Sequence, residues 1–137
     1  MRKGLIAMLG GLLMSVFLAV TATAQQAEIE GTITSQLEAF KVDDFEQAFT
    51  YATPTLQRLF KTPQNFERMV TQGYPMVWRP AEVTYLELAE QRGALIQKVQ
   101  IVDAKGFKHL LAYRMIKTDA GWRIGGVQIL DSESVTA

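Results

Sequence analysis

The chain has 137 residues, with 14 Lys and Arg against 14 Asp and Glu, a single histidine and no cysteine. The missing cysteine excludes a disulfide framework, a thiolate metal site and attachment of a lipid at a lipoprotein-type cysteine. The charge balance speaks against a nucleic-acid or anionic-membrane partner, either of which needs a basic patch.

The first 24 residues read as an export signal. Arg2 and Lys3 precede an almost unbroken apolar run from Leu5 to Val20, and Ala22-Thr23-Ala24 supplies a small-x-small cleavage pattern, with cleavage expected before Gln25. The run is shorter than the roughly 20 residues of a membrane span, so no membrane association is expected after cleavage. The expected product, 25–137, is one periplasmic or secreted domain with 12 basic and 14 acidic residues. It is large enough to bury its own core.

Ile29, Ile33, Leu37 and Phe40 recur at helical spacing, which predicts a first helix over Ala27–Val42. Asp43 is expected to cap a second helix, with Glu46 completing a capping box and Phe45, Ala48, Phe49 and Ala52 facing inward. Thr53-Pro54 and Thr62-Pro63 each read as an N-cap followed by proline at the first helical position. Gly73 ends the last of these helices, and Tyr74-Pro75 is expected to send the chain into an extended link.

The period then changes. Val83–Leu88, Leu95–Val102, Phe107–Ile116 and Trp122–Leu130 are strand-like, separated by Gln91-Arg92-Gly93, Ala104-Lys105-Gly106 and Asp119-Ala120-Gly121. These separators suit three-residue hairpins ending in a glycine of positive φ. Helices followed by a meander give an α+β fold, with N-terminal helices packed on a curved, antiparallel four-stranded sheet. Carrying the loops into register sets Leu95 opposite Met115, Gln97 opposite Tyr113 and Ile101 opposite His109, and then Met115 opposite Gly125, Tyr113 opposite Val127, Leu111 opposite Ile129 and His109 opposite Asp131. The expected core face then holds Leu95, Gln97, Val99, Ile101, His109, Leu111, Tyr113, Met115, Val127 and Ile129.

Gln36-Leu37-Glu38-Ala39-Phe40, Asp43-Asp44, 48–54, Phe66-Glu67-Arg68-Met69-Val70 and Gly73-Tyr74-Pro75 occur in order. Arg79-Pro80, Gln97-Lys98-Val99, Tyr113-Arg114-Met115 and Gly121-Trp122-Arg123-Ile124 follow. This series resembles an uncharacterised bacterial family, domain of unknown function 4864. That family in turn looks like part of the nuclear-transport-factor-2-like superfamily. The resemblance implies a cone in which the sheet wraps the first helix and leaves a pocket at one end. It implies no particular activity, because that superfamily holds both enzymes and binding modules.

Gln97 and Tyr113 are the expected polar anchors of an otherwise apolar pocket; a bond between the two that merely satisfies buried groups is the competing reading. Tyr74, Trp78 and Arg79, in the link between helices and sheet, either clamp a ligand at the mouth or form a packed plug. His109 with Asp131 is a candidate acid–base pair, which together with Tyr113 would suit a cofactor-free isomerase or lyase. No metal site or cofactor is expected, since Asp43-Asp44 is explained by capping and no phosphate loop or dinucleotide fingerprint is present. The favoured function is a non-catalytic module that binds a small apolar ligand or a protein partner. A dimerisation module using the outer sheet face is a further alternative.

Overall fold

The computed structural model describes residues 23–130. The expected export signal, 1–24, lies outside them except for Thr23 and Ala24, which are helical. Helix α1 covers 23–41. The chain continues as α2 (Phe45–Phe49), α3 (Pro54–Phe60), α4 (Pro63–Gly73) and α5 (Pro75–Trp78). It then forms β1 (Pro80–Gln91), β2 (Ala94–Asp103), β3 (Lys108–Thr118) and β4 (Gly121–Ile129). The four strands form one antiparallel sheet in the order β1-β2-β3-β4. This is the expected α+β arrangement of helices followed by a meander.

The i, i+4 pattern of α1 becomes a buried seam. Ile29, Ile33, Leu37 and Phe40 are all essentially inaccessible and share one core with Val99, Ile101, Leu111, Tyr113 and Met115 of the sheet. Phe66 of α4 is the hub of an aromatic cluster, with ring centroids 5.3–5.9 Å from Phe40, Phe49 and Phe60.

The helix boundaries follow local chemistry. Thr53 and Thr62 accept from the backbone N–H of Leu56 and Asn65, as their Thr-Pro context predicts. The cap of α2 is Asp44, not Asp43: its carboxylate accepts from Gln47 N–H at 3.1 Å. Asp43 instead ends α1. It sits at φ 58°, its N–H reaches Phe40 O, and Asp44 N–H reaches Ala39 O, the paired bonds of a Schellman turn. A residue committed to that left-handed position cannot also supply the extended backbone of an N-cap. The link at Tyr74-Pro75 is not extended either, because Pro75 opens the short α5.

The β2–β3 register is the expected one throughout, from Leu95 opposite Met115 to Ile101 opposite His109. Gly106 has φ 90° and Gly121 φ 110°. Two hairpins are tighter than expected. Gln91 pairs directly with Ala94, so the first turn has two residues, Arg92 and Gly93, both at positive φ. Thr118 pairs with Gly121, leaving Asp119-Ala120 between them.

That shorter turn starts β4 one residue out of the expected register, so Met115 faces Ile124 rather than Gly125. A bulge after Ile124 restores it, and Tyr113 faces Val127 and Leu111 faces Ile129 as anticipated. Gly125 occupies the bulge, where a β-carbon would lie 2.9 Å from Ile116 Cγ1. A second bulge, between Tyr85 and Leu88 in β1, lets both of these residues face inward despite their odd spacing. Of the expected core face, Ile129 is exposed, and Leu95, His109 and Val127 are half-buried. The outer face carries Ile96, Val102, Leu110 and Ile116 among Lys98, Lys108 and Arg114.

The edge of β4 is partly covered. Ile124 N–H donates to Tyr51 O and Thr53 N–H donates to Ile124 O, so the segment between α2 and α3 lies parallel to the strand.

Candidate functional site

Between the helices and the β3–β4 end of the sheet lies a cavity of about 290 Å³. Helices supply Gln36 and Phe40 from α1, Leu56 and Phe60 from α3, and Met69 and Val70 from α4. The other side is Tyr74, Val77, Tyr113, Ile124 and Val127. Leu56, Phe60, Met69, Tyr74 and Val127 are the half-exposed members and form the rim. The lining is almost wholly apolar and contains no ionised side chain.

Tyr113 is 1% exposed, and no described residue hydrogen-bonds its hydroxyl. Burial, reinforced by the nearby Tyr85 phenol, pushes its pKa up, so it is a neutral donor. Gln36, 5% exposed, donates from Nε2 to Ala48 O at 3.1 Å, which fixes its amide with Oε1 as an unused acceptor. The fully enclosed, unpartnered side-chain atoms among the described residues are Gln97 Oε1 and Trp122 Nε1. The Tyr113 hydroxyl and Gln36 Oε1 are not enclosed in this way, and the space that both residues border is the cavity. Gln36 was missed in the sequence because a glutamine beside the Ile29-Ile33-Leu37 stripe looks like a solvated flank. The signal was its place one residue from Leu37 on the buried arc.

The remaining candidates have other tasks. Gln97 faces Tyr113 as expected but does not line the cavity. Its Nε2 donates to Leu86 O at 3.0 Å and Lys98 O at 2.9 Å, filling the β1 bulge, so the expected pairing of Gln97 with Tyr113 as joint anchors is corrected. Tyr74 does border the cavity, and its hydroxyl donates to Val127 O at 3.0 Å, tying the α4–α5 corner to β4.

Trp78 and Arg79 lie away from the cavity and latch the sheet entrance to the end of α1. Trp78 Nε1 donates to Asp43 Oδ1 at 2.8 Å. Arg79 reaches both Asp43 oxygens at 2.9 and 3.2 Å, and its guanidinium carbon stands 4.2 Å from the Trp78 ring centroid. These bonds, Trp78's first, hold the Asp43 carboxyl below its usual pKa.

His109 Nε2 lies 2.9 Å from Asp103 Oδ2. Asp131, its expected partner, lies outside the described residues. Asp103 also accepts from Lys105 and Phe107 N–H, so it organises the β2–β3 hairpin. The His109 contact, before those backbone bonds, lowers the Asp103 pKa. The pair is diagonal across the hairpin, and neither residue borders the cavity.

No group of three or more His, Asp or Glu suited to a metal ion occurs among the described residues, and none of their helices is long and apolar enough to cross a membrane. No curated protein matches the chain. The family described as "Domain of unknown function (DUF4864)" matches residues 22–137, essentially everything beyond the apolar leader, and the chain belongs to that family.

Proposed function

We propose that this protein is exported, with 1–24 as its signal and 25–137 as a single domain, and that it serves as a non-catalytic binding module for a small, mainly apolar ligand. The observation that carries this reading is the 290 Å³ apolar cavity bordered by Tyr113, a buried tyrosine whose hydroxyl no described residue partners. An apolar lining favours an apolar guest, and a buried hydroxyl gains a bond when that guest supplies a partner. The cone of the nuclear-transport-factor-2-like superfamily is the proposed finer class. Its support is a four-stranded antiparallel sheet that shares its core with a long first helix and has a cavity at its β3–β4 end. The isomerase or lyase reading has less behind it, because the only histidine is engaged by Asp103 at a hairpin and the lining offers no acid–base pair.

Naphthalene, a rigid apolar probe of suitable size, tests the reading through its fluorescence. The protein is expected to bind it saturably, and Leu56→Trp, which places an indole at the rim, is expected to abolish binding while leaving the fold intact. Equal binding by both proteins, or none by the unaltered protein, would overturn the cavity as the site.

A further inference from the structure

We infer that the cavity selects an uncharged amphiphile of about a dozen heavy atoms carrying a single hydroxyl head group, which accepts from Tyr113 and donates to Gln36. This rests on the cavity being the binding site and adds the chemistry of the ligand.

Size comes first. A cavity of about 150 Å³ holds a benzene ring, so a space of 290 Å³ takes roughly twice as many atoms. Charge comes second. No lining residue is ionised, and Tyr113 stays protonated, so a bound carboxylate or ammonium would lose its hydration without compensation. Head-group chemistry comes third. The two polar groups offered are of opposite kind. The Tyr113 hydroxyl is an O–H with no acceptor among the described residues, and Gln36 Oε1 is an acceptor whose amide is already oriented by Ala48 O. One aliphatic hydroxyl satisfies both, because it accepts and donates at the same oxygen. An ether satisfies only Tyr113, and a hydrocarbon satisfies neither. Of the neighbouring polar groups, the Tyr74 hydroxyl is bonded to Val127 O, and Gln97, whose Nε2 fills the β1 bulge, does not line the cavity.

Three probes of matched length separate the terms: 1-decanol, its isomeric ether 1-methoxynonane, and decanoate. Binding is read by calorimetry on the purified protein, beside naphthalene as the probe of the cavity itself. The alcohol is expected to bind about tenfold more tightly than the ether, since an unpaired buried acceptor costs on the order of one decade in affinity. Decanoate is expected to bind more weakly than the alcohol at pH 8 and to gain affinity as pH falls toward its own pKa. Tyr113→Phe should remove about tenfold of the decanol affinity. Ether and alcohol binding equally, or decanoate binding best at pH 8, would overturn the head-group inference while naphthalene binding left the cavity reading intact. Failure of naphthalene to bind would overturn the cavity reading itself.

Discussion

Replacing Tyr113 by Phe separates a ligand-facing hydroxyl from a structural one by the sign of its effect. A buried tyrosine hydroxyl that bonds a protein group stabilises the fold, and its loss leaves a partner unsatisfied, at about 1–3 kcal/mol. Here no described residue partners the hydroxyl, although Tyr113 is 1% exposed. Removing it deletes a desolvated polar atom and creates no unsatisfied neighbour. The expected change in the unliganded protein therefore runs from zero, where cavity water solvates the hydroxyl, to a gain of about 1 kcal/mol, where the site is dry. For a domain of this size that is a rise in unfolding midpoint of up to about 4–6 °C. Gln97→Leu is the contrasting case, since it strips the bulge carbonyls Leu86 O and Lys98 O of their donor. It should lower stability by about 1–3 kcal/mol and leave decanol affinity unchanged. Scanning calorimetry of both variants, without added ligand, decides. A loss of more than about 1 kcal/mol in Tyr113→Phe would refute the reasoning, because it would mean the hydroxyl already has a structural partner.

Gly125→Ala should destabilise by about 1–3 kcal/mol in urea titration, because its β-carbon would meet Ile116 Cγ1 at 2.9 Å and Arg114 Nη1 at 3.3 Å. Gly126→Ala, with nothing within 4 Å, should be neutral or mildly stabilising, and equal losses in the two would mean the bulge is misplaced. Asp43 has a folded-state pKa below its unfolded value, so its contribution is complete above about pH 4 and disappears as pH falls through that range toward the folded pKa. The difference in melting midpoint between the unaltered protein and Asp43→Asn should therefore shrink from pH 6 to pH 2, and a constant difference would show that the latch to Trp78 and Arg79 does not depend on charge.

The fold was legible where one local signal dominated. The Ile29-Ile33-Leu37-Phe40 stripe, the two Thr-Pro caps and the Ala104-Lys105-Gly106 loop each admit one reading, and the structure follows them. The misreadings arose where two local rules compete for the same residue. Asp43 satisfies the capping pattern, yet the end of α1 claims it for a left-handed turn one residue earlier. The β4 register was right at Tyr113 and Val127 because two departures cancelled, a turn one residue shorter and a bulge one residue longer. Inward pairs three apart, Tyr85 with Leu88 and Ile124 with Val127, were the available sign of both bulges, since a regular strand places such pairs on opposite faces. In the site, Tyr113 followed from register alone, whereas the task of Gln97 depends on a bulge in the neighbouring strand that its own sequence does not reveal. His109 was placed correctly opposite Ile101, but its carboxylate partner is the diagonal Asp103.

Titration of the purified protein with 1-decanol, followed by amide and methyl chemical shifts, tests the central claim most directly. Saturable shifts centred on Met69, Val70, Val77, Ile124 and Val127, absent in Leu56→Trp, are the predicted result. Shifts that fail to saturate, or that centre on the exposed Leu59 and Phe107, would place the contact on the outer surface and contradict the account.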